Sequence, residues 1–234
     1  MKDLTQGSTT KIILAMAIPV AAGMIFQTLY LLVDLYFVAA LGEDSVAGVG
    51  TAGTLLFMIM ALTQVLGVSA VAMISQAVGK KDQQQANLVF NQSLVLSGIC
   101  ALITVLGGYL FAEPYLSNIA ADEGSLREGL TFLYWFLPGM ALQFAMMAMA
   151  SSLRATGIVK PAMLIQVITV VLNTILAPIL IAGWGPGPAL GVMGAGLAST
   201  ISIAVGVVLL TLYFIKLEKY VSFETKLWKP RFDI

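Results

Sequence analysis

The stretch from Ile12 to Leu41 reads IILAMAIPVAAGMIFQTLYLLVDLYFVAAL. It is longer than the ~20 apolar residues that carry an α-helix across a bilayer. Within it stands one carboxylate, Asp34. A charge at membrane depth costs roughly 2.5–3.5 kcal/mol on insertion scales, so such a residue ordinarily binds an ion, a proton or a substrate. Gln27, Tyr30 and Asp34 are spaced by three and four residues and share one helix face. That face is expected to look into a cavity or another helix rather than lipid. Pro19 removes a backbone hydrogen bond below that stripe and can bend the helix there. The reading for Asp34 is a protonatable or cation-binding group. Polar glue between helices is the structural alternative, and it suits Gln27 better.

The rest of the chain agrees with a membrane setting. Of 234 residues, 59% are hydrophobic and only 10% charged, where a soluble domain carries about 25% charged residues. Histidine is absent and Cys100 stands alone in an apolar run. An internal disulfide and a zinc-type Cys/His site are thereby excluded. The start MKDLTQGSTTK shows no short apolar core with a cleavage site, so the first run is expected to stay as a spanning helix.

Six runs long enough to span follow one another, at roughly 12–41, 46–78, 88–112, 129–152, 161–183 and 190–215. Breakers separate them, including Gly79-Lys80-Lys81-Asp82, Glu113-Pro114, Arg154 to Pro161, and Gly183 to Pro188. With a cytoplasmic N-terminus, eleven of the twelve cations fall on cytoplasmic segments and only Arg127 outside. This positive-inside bias puts both termini in the cytoplasm. The expected fold is an all-α integral membrane protein, a six-helix bundle over residues 1–215 with a linker at 216–234. The linker mixes Leu217, Tyr220, Phe223, Leu227 and Trp228 with basic residues. It suits the cytoplasmic interface, or equally a solvated charged tail.

Other polar residues fall inside the runs. Asn173 and Thr174 lie in the fifth, with Gln166 about two turns earlier. Asn173 offers a donor and an acceptor; it either shares an ion or proton with Asp34 or bridges helices. The fourth run holds Gln143 with Met140, Met146, Met147 and Met149. Flexible thioethers suit a cavity that takes many apolar shapes, and they equally suit ordinary packing. Gln143, Met146 and Thr174 are the candidate cavity residues. Small residues crowd the second and sixth runs, notably Gly48, Gly50, Gly53, Gly67, Gly191, Gly194, Gly196 and Gly206, and permit close helix contact. Ser8 and Ser45 read as N-caps. There is no histidine base, no GxSxG elbow and no phosphate-cradling loop. An enzyme is not expected, nor a nucleic-acid partner, a cofactor or a resident metal.

Four ordered segments carry a resemblance: AIPVAAGMIFQTLYLLVDLYFVAALG, GVSAVAMISQAVGKKD, SSLRATGIVKPAM and VLNTILAPILI. Together they resemble the amino-terminal half of a MATE (multidrug and toxic compound extrusion) transporter over about Ile12 to Tyr213. The resemblance implies one lobe of a twelve-helix antiporter built from two six-helix bundles. Such proteins export amphipathic, often cationic compounds in exchange for protons or sodium ions. It matches Pro19 to a bending proline of the first helix. Gln27, Tyr30 and Asp34 match the polar lining of the lobe, and Asn173 the asparagine that accompanies the Asp. Where some members carry a second acid one turn after that Asn, this chain has Ala177.

A single carboxylate makes a complete sodium cage harder to build and leans towards a proton as the coupling ion. The expected setting is a bacterial-type inner membrane. Expected partners are small amphipathic or cationic substrates, membrane lipids and a missing second six-helix bundle, with the chain a fragment of a longer protein. The rivals are a flippase for lipid-linked oligosaccharides, disfavoured because Arg154 and Lys160 read as loop residues, and a non-transporting membrane scaffold.

Overall fold

The computed structural model describes residues 9–184, 187–217 and 220–230; within the first helix several side chains, among them those of Pro19, Gln27 and Tyr30, lie outside that description. The described chain is all-helical: α1 (Thr9–Ala39), α2 (Glu43–Gly79), α3 (Gln83–Leu116), α4 (Glu123–Ala155), α5 (Val159–Ala182), α6 (Val192–Lys216) and a short 3-10 turn, η1 (Thr225–Leu227). Among the described residues five helices, α2 to α6, are long and apolar enough to cross a membrane. Their polar backbone groups are satisfied within each helix, as a hydrocarbon surrounding requires.

α4 is the central helix. Half of its most apolar window is buried, against a third or less in the other four, and it packs on α2, α3 and α6. α1 lies at the edge, mainly against α5, and α5 leans on α6. The α2–α4 crossing depends on glycine: a Cβ on Gly48 would stand 2.6 Å from Gly129 N, and one on Gly129 would stand 2.7 Å from Gly48 O. Gly67, Gly194, Gly196 and Gly206 are also pressed by neighbouring helices, whereas Gly50 and Gly53 face open space. The small-residue pattern therefore marks real contacts at some positions only. Gly183 ends α5 in the left-handed conformation, with φ 71°, which a residue lacking Cβ adopts without strain.

Several boundaries differ from the sequence expectation. α3 continues through Pro114 to Leu116. α4 begins at Glu123, well before 129, and retains Arg154 in its last turn. Pro161 sits in the first turn of α5, where its missing N–H has no intrahelical partner to lose. Ser45 is not an N-cap. α2 starts two residues earlier, after Gly42, with Glu43 and Asp44 in its first turn, where carboxylates favour the helix dipole. Ser8 lies outside the described residues. The side-chain caps are aspartates instead, Asp82 on α3 and Asp122 on α4.

The linker does not float. Val221 is fully buried, and Phe223 packs on Phe90 and Phe214 with ring centroids 5.6 Å from each. Asn91 of α3 donates to Ser222 O at 2.9 Å, and its Oδ1 accepts from Glu224 N at 2.9 Å and Trp228 Nε1 at 3.0 Å. Asn87 Oδ1 accepts from Ser222 N at 2.8 Å, and its amide donates to the Glu224 carboxylate. Residues 220–230 are thus strapped along the first turns of α3.

Candidate functional site

Asp34 projects from the C-terminal part of α1 towards α6. Its Oδ2 accepts a hydrogen bond from the hydroxyl of Ser199 on α6, at 3.1 Å. Ser199 Oγ in turn accepts from Asn173 Nδ2 on α5, at 3.2 Å. Asn173 and Ser199 are both fully buried. A carboxylate, a hydroxyl and an amide from three helices therefore form one chain of hydrogen bonds. α5 turns Asn173 inward because it shares a face with Thr169, Val170, Ala177 and Ile181, all buried. Ala177, one turn after Asn173, is fully buried in the apolar core around Val38, Leu133 and Ile181.

Among the described residues, two oxygens of this group have no partner: Asp34 Oδ1 and Asn173 Oδ1 are buried and accept no hydrogen bond. A buried, unpaired polar atom ordinarily costs about 1–3 kcal/mol, so two in one cluster need an explanation. A proton on Asp34 would supply a donor. Hard cations likewise prefer such oxygen donors.

The other expected residues fall differently. Pro19, Gln27 and Tyr30 lie along α1, with side chains outside the described residues. Gln166 reaches α1: a Cβ on Gly23 would stand 3.3 Å from its Oε1. Thr174 is exposed and spends its hydroxyl on Val170 O of its own helix, at 2.9 Å. It points away from Asn173, as neighbouring helix positions must. Met146 is buried in the core with Met149, Ile165 and Leu210, and its Sδ lies 3.3 Å from where a Gly206 Cβ would be. Packing, not an open cavity, accounts for Met146, and Met140 and Met149 are buried likewise. Gln143 is half-buried on α4. Ser199 is the residue that sequence reading missed. Its only signal is a serine within an apolar helix, one of several, and nothing in its spacing ties it to Asp34.

Comparison with known proteins agrees with this architecture. The MatE family model matches residues 19–179, and the chain belongs to that family. It is 30% identical over 226 residues to the multidrug export protein MepA of Staphylococcus aureus (strain MRSA252), covering 94% of this chain and 48% of that protein. It is 26% identical over 205 residues to an FAD transporter of Shewanella oneidensis, covering 86% of this chain and 45% of that protein. Among solved structures it superposes, with TM-score 0.89 and 29% identity, on a MOP superfamily transporter from Pyrococcus furiosus Vc1 whose binding pocket is described as of reverse polarity, suggesting a different function; 97% of this chain and 50% of that one are covered. The chain spans about half the length of the curated relatives it matches. It is a multi-pass membrane protein of a transporter family.

Proposed function

We propose that this chain is the N-terminal half of a cation-coupled antiporter that exports amphipathic, often cationic compounds by alternating access. In this reading α1 joins the other five helices in spanning the membrane. Both termini face the cytoplasm of a bacterial-type inner membrane, with residues 216–234 forming the cytoplasmic link to a second six-helix bundle. Substrate occupies the cleft between bundles. Asp34 holds a cationic substrate in its charged form and releases it when a coupling ion arrives from outside. One carboxylate favours a proton as that ion, while the neutral oxygens of Asn173 and Ser199 leave sodium feasible.

One observation carries this reading: a carboxylate in the apolar first helix is hydrogen-bonded through Ser199 to Asn173, and among the described residues Asp34 Oδ1 and Asn173 Oδ1 stay unpaired. Structural glue would use its acceptors; an exchange site keeps them for its ion. MepA, a multidrug export protein, is a relative of matching kind.

The test is Asp34→Asn in an intact two-bundle protein, read as dye efflux from energised cells at equal membrane abundance. Efflux is expected to stop. Retained efflux would sink the coupling role of Asp34. A purely scaffolding chain would also fail to bind a fluorescent cationic dye when purified.

A further inference from the structure

Arg154 stands in the last turn of α4. A long cation at such a position ordinarily extends outward to water or towards the terminal carbonyls. Its guanidinium does the opposite. Nη2 donates to Ser151 Oγ at 2.7 Å and reaches Met147 Sδ at 3.4 Å, one and two turns back along the helix. Ser151 is fully buried, and both partners lie against α2. A Cβ on Gly67 would stand 2.8 Å from Met147 Cγ and 3.1 Å from Ser151 Oγ. The head group is therefore drawn, half-buried, towards the α2–α4 seam.

This leaves the charge poorly compensated. A guanidinium carries five N–H donors, and a hydroxyl with a thioether satisfies few of them. Among the described residues the ion pair that forms is Arg127–Glu128, near the other end of α4; Arg154 has no carboxylate. Withdrawing an unpaired cation from water is costly, and a planar fork of donors is the group best shaped to take a phosphate in two parallel hydrogen bonds.

We propose that Arg154 is an anion subsite at the cytoplasmic end of the α2–α4 seam, taking the phosphate of an amphipathic molecule whose apolar body lies along the membrane-depth side chains beside Met147. The phosphate belongs either to a phospholipid headgroup or to a free amphipathic phosphate. As a statement about what is exported, this rests on the proposed function. As a statement about binding, it does not.

The probe is octyl phosphate, titrated calorimetrically into the purified chain in dodecyl maltoside micelles, which carry no phosphate, with octyltrimethylammonium as the cationic control. Saturable octyl phosphate binding is expected, weakened about tenfold or more by Arg154→Gln and less by Arg154→Lys, which keeps the charge but loses the fork. The cationic control is expected to bind all three alike. No saturable binding by the unaltered chain, or equal affinity in Arg154→Gln, overturns the proposal.

Circular dichroism checks that the variants keep their helices. Should Arg154→Gln lose them, Ser151→Ala takes its place, because it frees the guanidinium to swing outward; unchanged affinity there likewise overturns the subsite. Repeating the titration in phosphatidylglycerol nanodiscs separates the sources. Suppressed binding identifies the lipid headgroup as occupant, and unchanged binding identifies the free phosphate. Because binding is read without transport, a chain that binds but does not export loses only the export reading.

Discussion

Two buried polar clusters in this apolar chain use the same chemistry to opposite ends. At the start of α3, Asn91 donates to Asn87 O and Ser222 O, and accepts from Glu224 N and Trp228 Nε1. Both sides of its amide are occupied. At the end of α1, the Asp34–Ser199–Asn173 chain leaves Asp34 Oδ1 and Asn173 Oδ1 without a donor among the described residues. A fully satisfied network rigidifies and specifies one arrangement, whereas a partly satisfied one carries a standing cost. The first cluster is a fastening. The second keeps two buried acceptors unpaired among the described residues, as the exchange role proposed for Asp34 requires.

The sharpest way to break this contrast is to neutralise one member of each cluster and ask which loses function and which loses fold. Asp34→Asn is expected to abolish efflux in the intact two-bundle protein while the thermal midpoint of this half holds or rises, since a buried charge disappears. Asn91→Ala is expected to do the reverse. It strands Glu224 N, Trp228 Nε1 and Ser222 O at once, at about 1–3 kcal/mol for each that stays buried. The linker can relieve much of that by peeling off into water, so a net loss of about 2 kcal/mol is expected. Limited proteolysis near 217–230 then accelerates in Asn91→Ala and not in Asp34→Asn. Equal proteolysis in the two variants would remove the distinction between fastening and site.

The two clusters were unequally legible in the sequence, for a physical reason. Asp34 announces itself because a carboxylate in an apolar run is costly wherever the chain folds. Asn173 follows from the same argument more weakly. Ser199 is silent, because a serine inside an apolar helix costs little when it bonds its own backbone, as Ser202 does to Ala198 O at 2.8 Å. What sets Ser199 apart is a contact 165 residues away in the chain, and spacing along one helix says nothing of that. The Asn87–Asn91 fastening was hidden otherwise. The QQQAN stretch preceding the third apolar run reads as a polar connector, yet the helix already begins at Gln83. The i, i+4 pair of Asn87 and Asn91, on either side of the start of that run, was the available signal. The helices themselves were legible from their length and apolarity, while their ends shifted where Asp82 and Asp122 cap them and where Pro114 is tolerated inside α3. Met140, Met146 and Met149 of the methionine stripe belong to the core, since a Met face is equally good at packing.

A finer test dissects the second cluster. Ser199→Ala removes the hydroxyl that links Asp34 to Asn173 and leaves both partners in place. A stability change of about 1 kcal/mol or less is expected, because one bridging hydrogen bond contributes about that much. Combined with Asn173→Ala, the losses are expected to be non-additive by about 0.5 kcal/mol or more, as contacting residues in one network are. Strict additivity in urea unfolding would mean that the three side chains are neighbours without being a unit.

The smallest effect comes from a third polar arrangement, in water rather than in the bundle. At the head of α4, Asp122 Oδ1 accepts from Ser125 N at 2.7 Å while Ser125 Oγ accepts from Asp122 N at 3.2 Å, a reciprocal capping box. The Ser125 backbone N–H, and then its hydroxyl, hold the Asp122 carboxyl below its usual range. A depressed folded-state pKa means stability that is fully present above the unfolded value of about 3.9 and fades as pH falls through the lower folded value. Melting curves from pH 7 down to pH 3 are therefore expected to fall slightly less steeply for Asp122→Asn, which keeps a capping acceptor but has no proton to take up. Parallel curves would mean that the charge adds nothing to the cap. Exposed and satisfied, this carboxylate answers to bulk pH alone, and that makes it the control against which any acid sensitivity arising at the buried Asp34 cluster is to be measured.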